Sequence, residues 1–215
     1  HYPSRILEGY FNRSYDECRL NALFAEKYHC RYVPEFHLSG QVWFEREVMG
    51  VWTEGSKHHP KVVFASQKAK DRVLVDKNGN YRCSTKPFVY NPLNPQVQDM
   101  YISVFGELAD RLGDCESFDG ISSRLMLTWQ WMGWNALPGL NWGYGDWTIK
   151  AFEKETGIIV PGKAGDPKRF RTRFEFLTGP CLDKWMVWRC ERIFAYHCRL
   201  RDRIRKAKAS AKLFL

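Results

Sequence analysis

Segments of helical period alternate along the chain with short runs rich in strand formers. Leu20, Leu23, Phe24 and Tyr28 recur at helical spacing behind Ser14 and Glu17, which together read as a capping box. This predicts a first helix with an apolar stripe on a core. Residues 30–36 (CRYVPEF) read as a short buried strand, although Pro34 argues against a regular central position. Asn94 followed by Pro95 predicts a capped helix whose stripe is Val97, Met100, Tyr101, Val104, Leu108 and Leu112. Residues 118–126 (FDGISSRLM) read as the next strand. A helix then starts near Asp146 and stops at Gly157. A short helix over 168–177 and a long one from Leu182 to about residue 208 follow, before a last strand at 212–215.

Strands separated by helices predict an α/β fold with a parallel sheet. The long connections all follow strand ends, and the helix-to-strand links are short. That asymmetry predicts a (β/α) TIM-barrel type fold, here a partial barrel with long loops after the strands. An open doubly wound sheet shares the pattern. Three countable strands supply at most about half of the eight a barrel needs. The expected organisation is one domain over 1–215, with residues 38–90 as a long loop excursion within it.

Composition narrows the class. The chain is 44% hydrophobic and 27% charged, a globular balance, and has no apolar run long enough for a membrane span. The net charge of +9 invites an acidic partner until it is located. Residues 163–215 hold 15 Lys and Arg against 5 Asp and Glu, so the basicity belongs to the last quarter. The 7 cysteines form no C-x-x-C pair and read as core or incidental thiols. The start at His1 without a leader pattern, and the apolar finish, predict a segment of a longer protein.

The most unusual stretch is 127–147, where Trp129, Trp131, Trp134, Trp142 and Trp147 join Tyr144 among several glycines. So glycine-rich a segment does not form one amphipathic helix, and its indoles are not all expected in the core. Aromatic faces with a few polar groups suit sugar rings. Bases would stack there too, but no Lys or Arg lies between Trp129 and Trp147, which favours a neutral ligand. Glu35 and His37 end the first predicted strand, spaced to share one side of it. A Glu paired with an arginine and a capping His is an equally good account of them. Trp43 and Trp52 lie just beyond, with Glu45 as a reserve carboxylate. Arg124 is placed to bind substrate or to neutralise Glu35. Asp146 is a carboxylate at a helix start, where capping competes with catalysis. The arginines from 189 to 205 read as a solvated helix face.

Asn91-Pro92-Leu93-Asn94-Pro95-Gln96-Val97-Gln98 resembles the "NPxxPEVR" helix start of the glycosyl-hydrolase-10-like family of glycosidase barrels. Phe118-Asp119-Gly120-Ile121 resembles its "vDGI" strand, Gly143-Tyr144-Gly145-Asp146 its "fGYD" segment, and residues 185–189 (WMVWR) its "WxxWRR" helix. The matches run in order over about half of the chain. The resemblance implies a barrel glycosidase acting on an oligo- or polysaccharide without a cofactor, and export to a secreted or periplasmic site. Arg124 stands where that family places an acidic residue, so no carboxylate role carries over to it.

Together these observations predict a carbohydrate-active enzyme, a glycoside hydrolase with Glu35 and Asp146 as its carboxylate pair. His37, Trp43, Arg124, Trp129, Trp134, Trp142 and Tyr144 are the expected substrate-binding residues, with no metal and no membrane partner. The alternatives are a non-catalytic carbohydrate-binding barrel and, ranked below it, a nucleic-acid-interacting domain using the basic C-terminal helix.

Overall fold

A computed structural model of the chain describes residues 4–6, 15–36, 44–56, 59–81, 88–123, 137 and 139–215. They form α1 (Glu17–Lys27), β1 (Glu35–Phe36), a π-helical turn (Phe44–Met49), β2 (Val51–Ser56), β3 (His59–Phe64), α2 (Gln67–Asp71), α3 (Pro95–Leu112), β4 (Gly120–Ser123), α4 (Asp146–Thr156), α5 (Arg169–Thr178), α6 (Leu182–Ala207) and β5 (Lys212–Phe214). The chain divides into two compact units. One comprises residues 1–38, 98–124 and 195–215, and the other residues 39–97 and 125–194.

The first unit contains the parallel sheet, in the order β1-β4-β5. Glu35 is in register with Ser122, and Ile121 with Leu213. Gly120 fixes the β4–β5 approach: its φ is +147°, and a Cβ there would lie 2.0 Å from the Lys212 carbonyl oxygen. Asp119, beside it, pairs with Arg31 at 3.2 Å and Lys212 at 3.5 Å. Burial alone would raise the Asp119 carboxyl, but these cations hold it below the usual range. These contacts give Asp119 a structural role at the start of β4. Tyr101, Val104, Leu108 and Leu112 of α3 are buried, as their spacing predicts, whereas Met100 is half-buried and Phe105, outside the expected stripe, is buried beside them. Lys208 closes the end of α6 by donating to the carbonyls of Cys115, Glu116 and Phe118 at 2.8–2.9 Å.

The chain does not form a (β/α) barrel, whole or partial. Among the described residues there are only this three-stranded sheet and the antiparallel β2–β3 hairpin. A barrel closes eight strands without edges, whereas strands of two, four and three residues leave β1 and β5 as the edges of an open ribbon. Much of what the sequence assigns to loops around a barrel packs instead as a separate unit with its own core.

The first helix differs from expectation as well. Leu20, Leu23, Phe24 and Tyr28 are 60%, 47%, 61% and 56% exposed, so the apolar stripe faces outward. Polar contacts hold α1 instead. Arg19 pairs with Asp114, Asp16 with Arg111, each at 2.7 Å, and Ser117 donates to the Ala22 carbonyl. The cap is Asp16, which accepts from the Arg19 amide; Ser14 lies outside the described residues.

The second unit is built on an apolar cluster that includes Val75, Leu93, Tyr144, Phe152, Trp185 and Trp188. Trp185 and Trp188 stack at 5.3 Å, and Phe152 meets both edge-on. Asn94 accepts from the Gln96 amide and so starts α3 as predicted, with Pro95 at its first position. Gly157 ends α4 in the left-handed conformation. Asp76 folds the 76–80 turn by accepting from the amides of Asn78 and Asn80.

Candidate functional site

The second unit holds the polar surface that this fold presents beside an exposed part of an indole. Trp147 is the second residue of α4 and packs partly against the apolar cluster. Its remaining surface lines an open groove of about 340 Å³ together with Lys68, Asp71, Asn94 and Gln96. It also lines a much tighter cleft of only about 10 Å³, with Asp71, Asp146, Lys70 and Tyr81 on the walls. Asp71 and Trp147 are common to both spaces.

Local hydrogen bonds fix these walls. The Asn94 side-chain amide donates to the Asp71 carbonyl at 3.2 Å, tying the end of α2 to the start of α3. Gln67 donates to the Asp71 carboxylate at 2.8 Å. Arg72 holds the Gln96 side chain by donating to its oxygen at 3.1 Å. The buried Asn91 donates to Thr148 Oγ1 at 3.0 Å, which anchors the first turn of α4 against the 88–94 segment. Lys70 lies 5.8 Å from the Tyr81 ring centre.

Asp146 is held between two arginines, Arg173 at 2.7 Å and Arg169 at 3.4 Å. Burial pushes its carboxyl upward, but Arg173, Arg169 and Lys70 outweigh that and hold it below the usual carboxylate range. An anion so compensated keeps its charge at neutral pH and has no proton to give a leaving group. Arg173 is 4% exposed and also donates to the carbonyls of Tyr144 and Gly162. It is the staple that ties α5 to the 144–146 segment. Sequence reasoning missed it, because nothing in the local pattern of α5 distinguishes it from the solvated arginines around it.

The remaining expected site residues fall into three groups. Glu35 lies exposed in β1 of the first unit, so it and Asp146 belong to different units. Trp142 and Tyr144 are buried in the second unit, at 8% and 0% exposure. Trp142 packs with Leu74 and Val89, and the Tyr144 hydroxyl donates to the Leu140 carbonyl. They are packing residues rather than a stacking surface. His37, Trp43, Arg124, Trp129 and Trp134 lie outside the described residues. Trp52 donates to Glu54 at 2.9 Å on the β2 strand.

Part of the basic helix is engaged in ion pairs. Arg192 pairs with Glu155, Arg199 with Asp99 and Arg203 with Asp110. A stripe engaged in this way has few cations left for phosphates. No three His, Cys, Asp or Glu among the described residues come together to hold a metal ion. No described helix is long and apolar enough to cross a membrane. Comparison with known proteins finds no family model, no curated protein and no solved structure that matches this chain.

Proposed function

We propose that this chain is a carbohydrate-binding component of a carbohydrate-active protein, and that it seats a sugar ring on Trp147. The observation that carries this reading is the Trp147 groove itself. A fixed indole stands among planar polar side chains, Asp71, Asn94 and Gln96, with Lys68 at the rim. An indole accepts the C–H face of a sugar, and neighbouring amides and carboxylates take its equatorial hydroxyls. Two segments that resemble glycosyl-hydrolase-10-like motifs supply the walls: Asn94, Pro95 and Gln96 line the groove, and Gly145 and Asp146 line the adjoining cleft.

Binding is preferred to cleavage because hydrolysis needs a carboxylic acid that can donate a proton. The arginines beside Asp146 deny it that role. Calorimetric titration with a panel of neutral oligosaccharides tests the reading. Trp147→Ala is expected to weaken binding about tenfold or more, since it removes the stacking surface. Unchanged affinity in a folded variant would remove Trp147 from the site. The same samples should be assayed for new reducing ends, whose release would turn the reading towards a hydrolase.

A further inference from the structure

Among the described residues of the second unit, one buried cation has no carboxylate beside it. Arg189, in α6, is 4% exposed. Its neighbours in sequence and space are compensated: Arg173 pairs with Asp146, and Arg192 with Glu155. Among the described residues Arg189 donates from Nη2 to the Gly139 carbonyl at 2.7 Å. Its guanidinium carbon lies 5.2 Å from the Trp185 ring centre. Nη1 is buried without an acceptor. Burial holds this guanidinium below its usual basicity. The groups that oppose the shift are Tyr144 and Cys190, neither of them a carboxylate.

The surrounding sequence does not supply the missing charge. From Arg124 to Gly145 there is no Asp or Glu at all. A neutral carbonyl and an aromatic face offset only part of what burying a cation costs. Gly139 and Leu140 are exposed, and Gly139 sits at φ +81° with open space where a Cβ would project. A buried, positively charged donor with one unused N–H group lies beneath an exposed turn.

We propose that Arg189 receives the carboxylate of an acidic sugar. The carboxylate accepts from Nη1 and takes the place of the Gly139 carbonyl at Nη2, giving a two-point, charge-assisted contact. That the carboxylate is carried on a sugar rests on the carbohydrate reading above; the receptor itself does not. The inference extends the ligand class from neutral sugars to uronic-acid oligomers.

The test titrates the intact chain, at fixed ionic strength, with an oligogalacturonide, its neutral galactose counterpart and sodium acetate. The acidic oligomer is expected to bind about tenfold more tightly than the neutral one, the scale of a charged hydrogen-bond pair. Arg189→Lys keeps the charge but not the fork, and is expected to abolish that preference while leaving neutral-sugar binding in place. Equal affinities in the wild type, or a preference that survives in Arg189→Lys, would overturn the proposal. Should the variant not fold, NMR of the wild type reads the same point: the Arg189 Nε resonance must move with the acidic oligomer and not with the neutral one. Acetate competing as well as the oligomer would overturn the sugar part and keep an anion receptor. Loss of neutral binding in Trp147→Ala with the acidic preference unchanged, or the reverse, separates the failure of one site from that of the other.

Discussion

Replacing Arg173 with Met is expected to destabilise the protein by about 3 kcal/mol, at the lower end of what breaking a buried ion pair costs. The side chain is 4% exposed and meets three acceptors: Asp146 at 2.7 Å, the Tyr144 carbonyl at 2.9 Å and the Gly162 carbonyl at 2.9 Å. Methionine fills the space but leaves two carbonyls without a donor and Asp146 with Arg169 alone. Arg169 keeps the loss from being larger. Urea denaturation measures it, and a change under about 1 kcal/mol would show that the staple is dispensable. The pair also predicts an acid dependence. The Asp146 carboxyl lies lower in the folded chain than in the unfolded one, for which about 3.9 is usual. Its contribution is therefore complete above that value and is lost as the pH falls through the folded-state pKa. Stability of Asp146→Asn should fall less steeply than that of the wild type in this acid range.

Gly120→Ala is expected to cost about 3 kcal/mol and to open the β4–β5 pairing. Two independent effects add. At φ +147° an L side chain is strained, which alone costs roughly 1–3 kcal/mol. The new Cβ would also stand 2.0 Å from the Lys212 carbonyl oxygen and 2.7 Å from its amide nitrogen. Those atoms are backbone, so no rotamer relieves the clash, and the strands must separate. Amide exchange should show it directly. Protection at Ile121–Leu213 and Ser122–Phe214 should be lost while the second unit keeps its own. Retained protection would mean that β5 can shift without unpairing.

The elements that the sequence made legible carry their own local signals. Asn94-Pro95 starts α3 because the Asn94 side chain accepts the Gln96 amide and proline has no amide to satisfy there. Gly157 ends α4 because glycine adopts φ +72° without strain. The β2–β3 hairpin was missed. Pro60 and the His58-His59 pair interrupt the strand pattern, and pairing from Val51 with Phe64 to Ser56 with His59 is a property of two segments together. The candidate site was only partly legible. The quoted resemblance covers segments that line the Trp147 groove, while Trp142 and the neighbouring Tyr144, expected on a binding surface, are buried. Period and composition do not distinguish an aromatic packed in the core from one lining a groove.

The sequence by itself determined where α3 begins and α4 ends, most of the buried stripe of α3 and where the positive charge collects, because these depend on neighbours within a few residues. Tertiary structure alone decided that the parallel strands form an open ribbon, that the α1 stripe faces outward and that Arg173 and Arg189 are buried. It also decided that one has a carboxylate and the other has none. Burial and charge pairing join residues far apart along the chain: Asp146 and Arg173 are 27 positions apart, and Gly139 and Arg189 are 50 apart. Distances of that kind are set by packing, which no local pattern encodes.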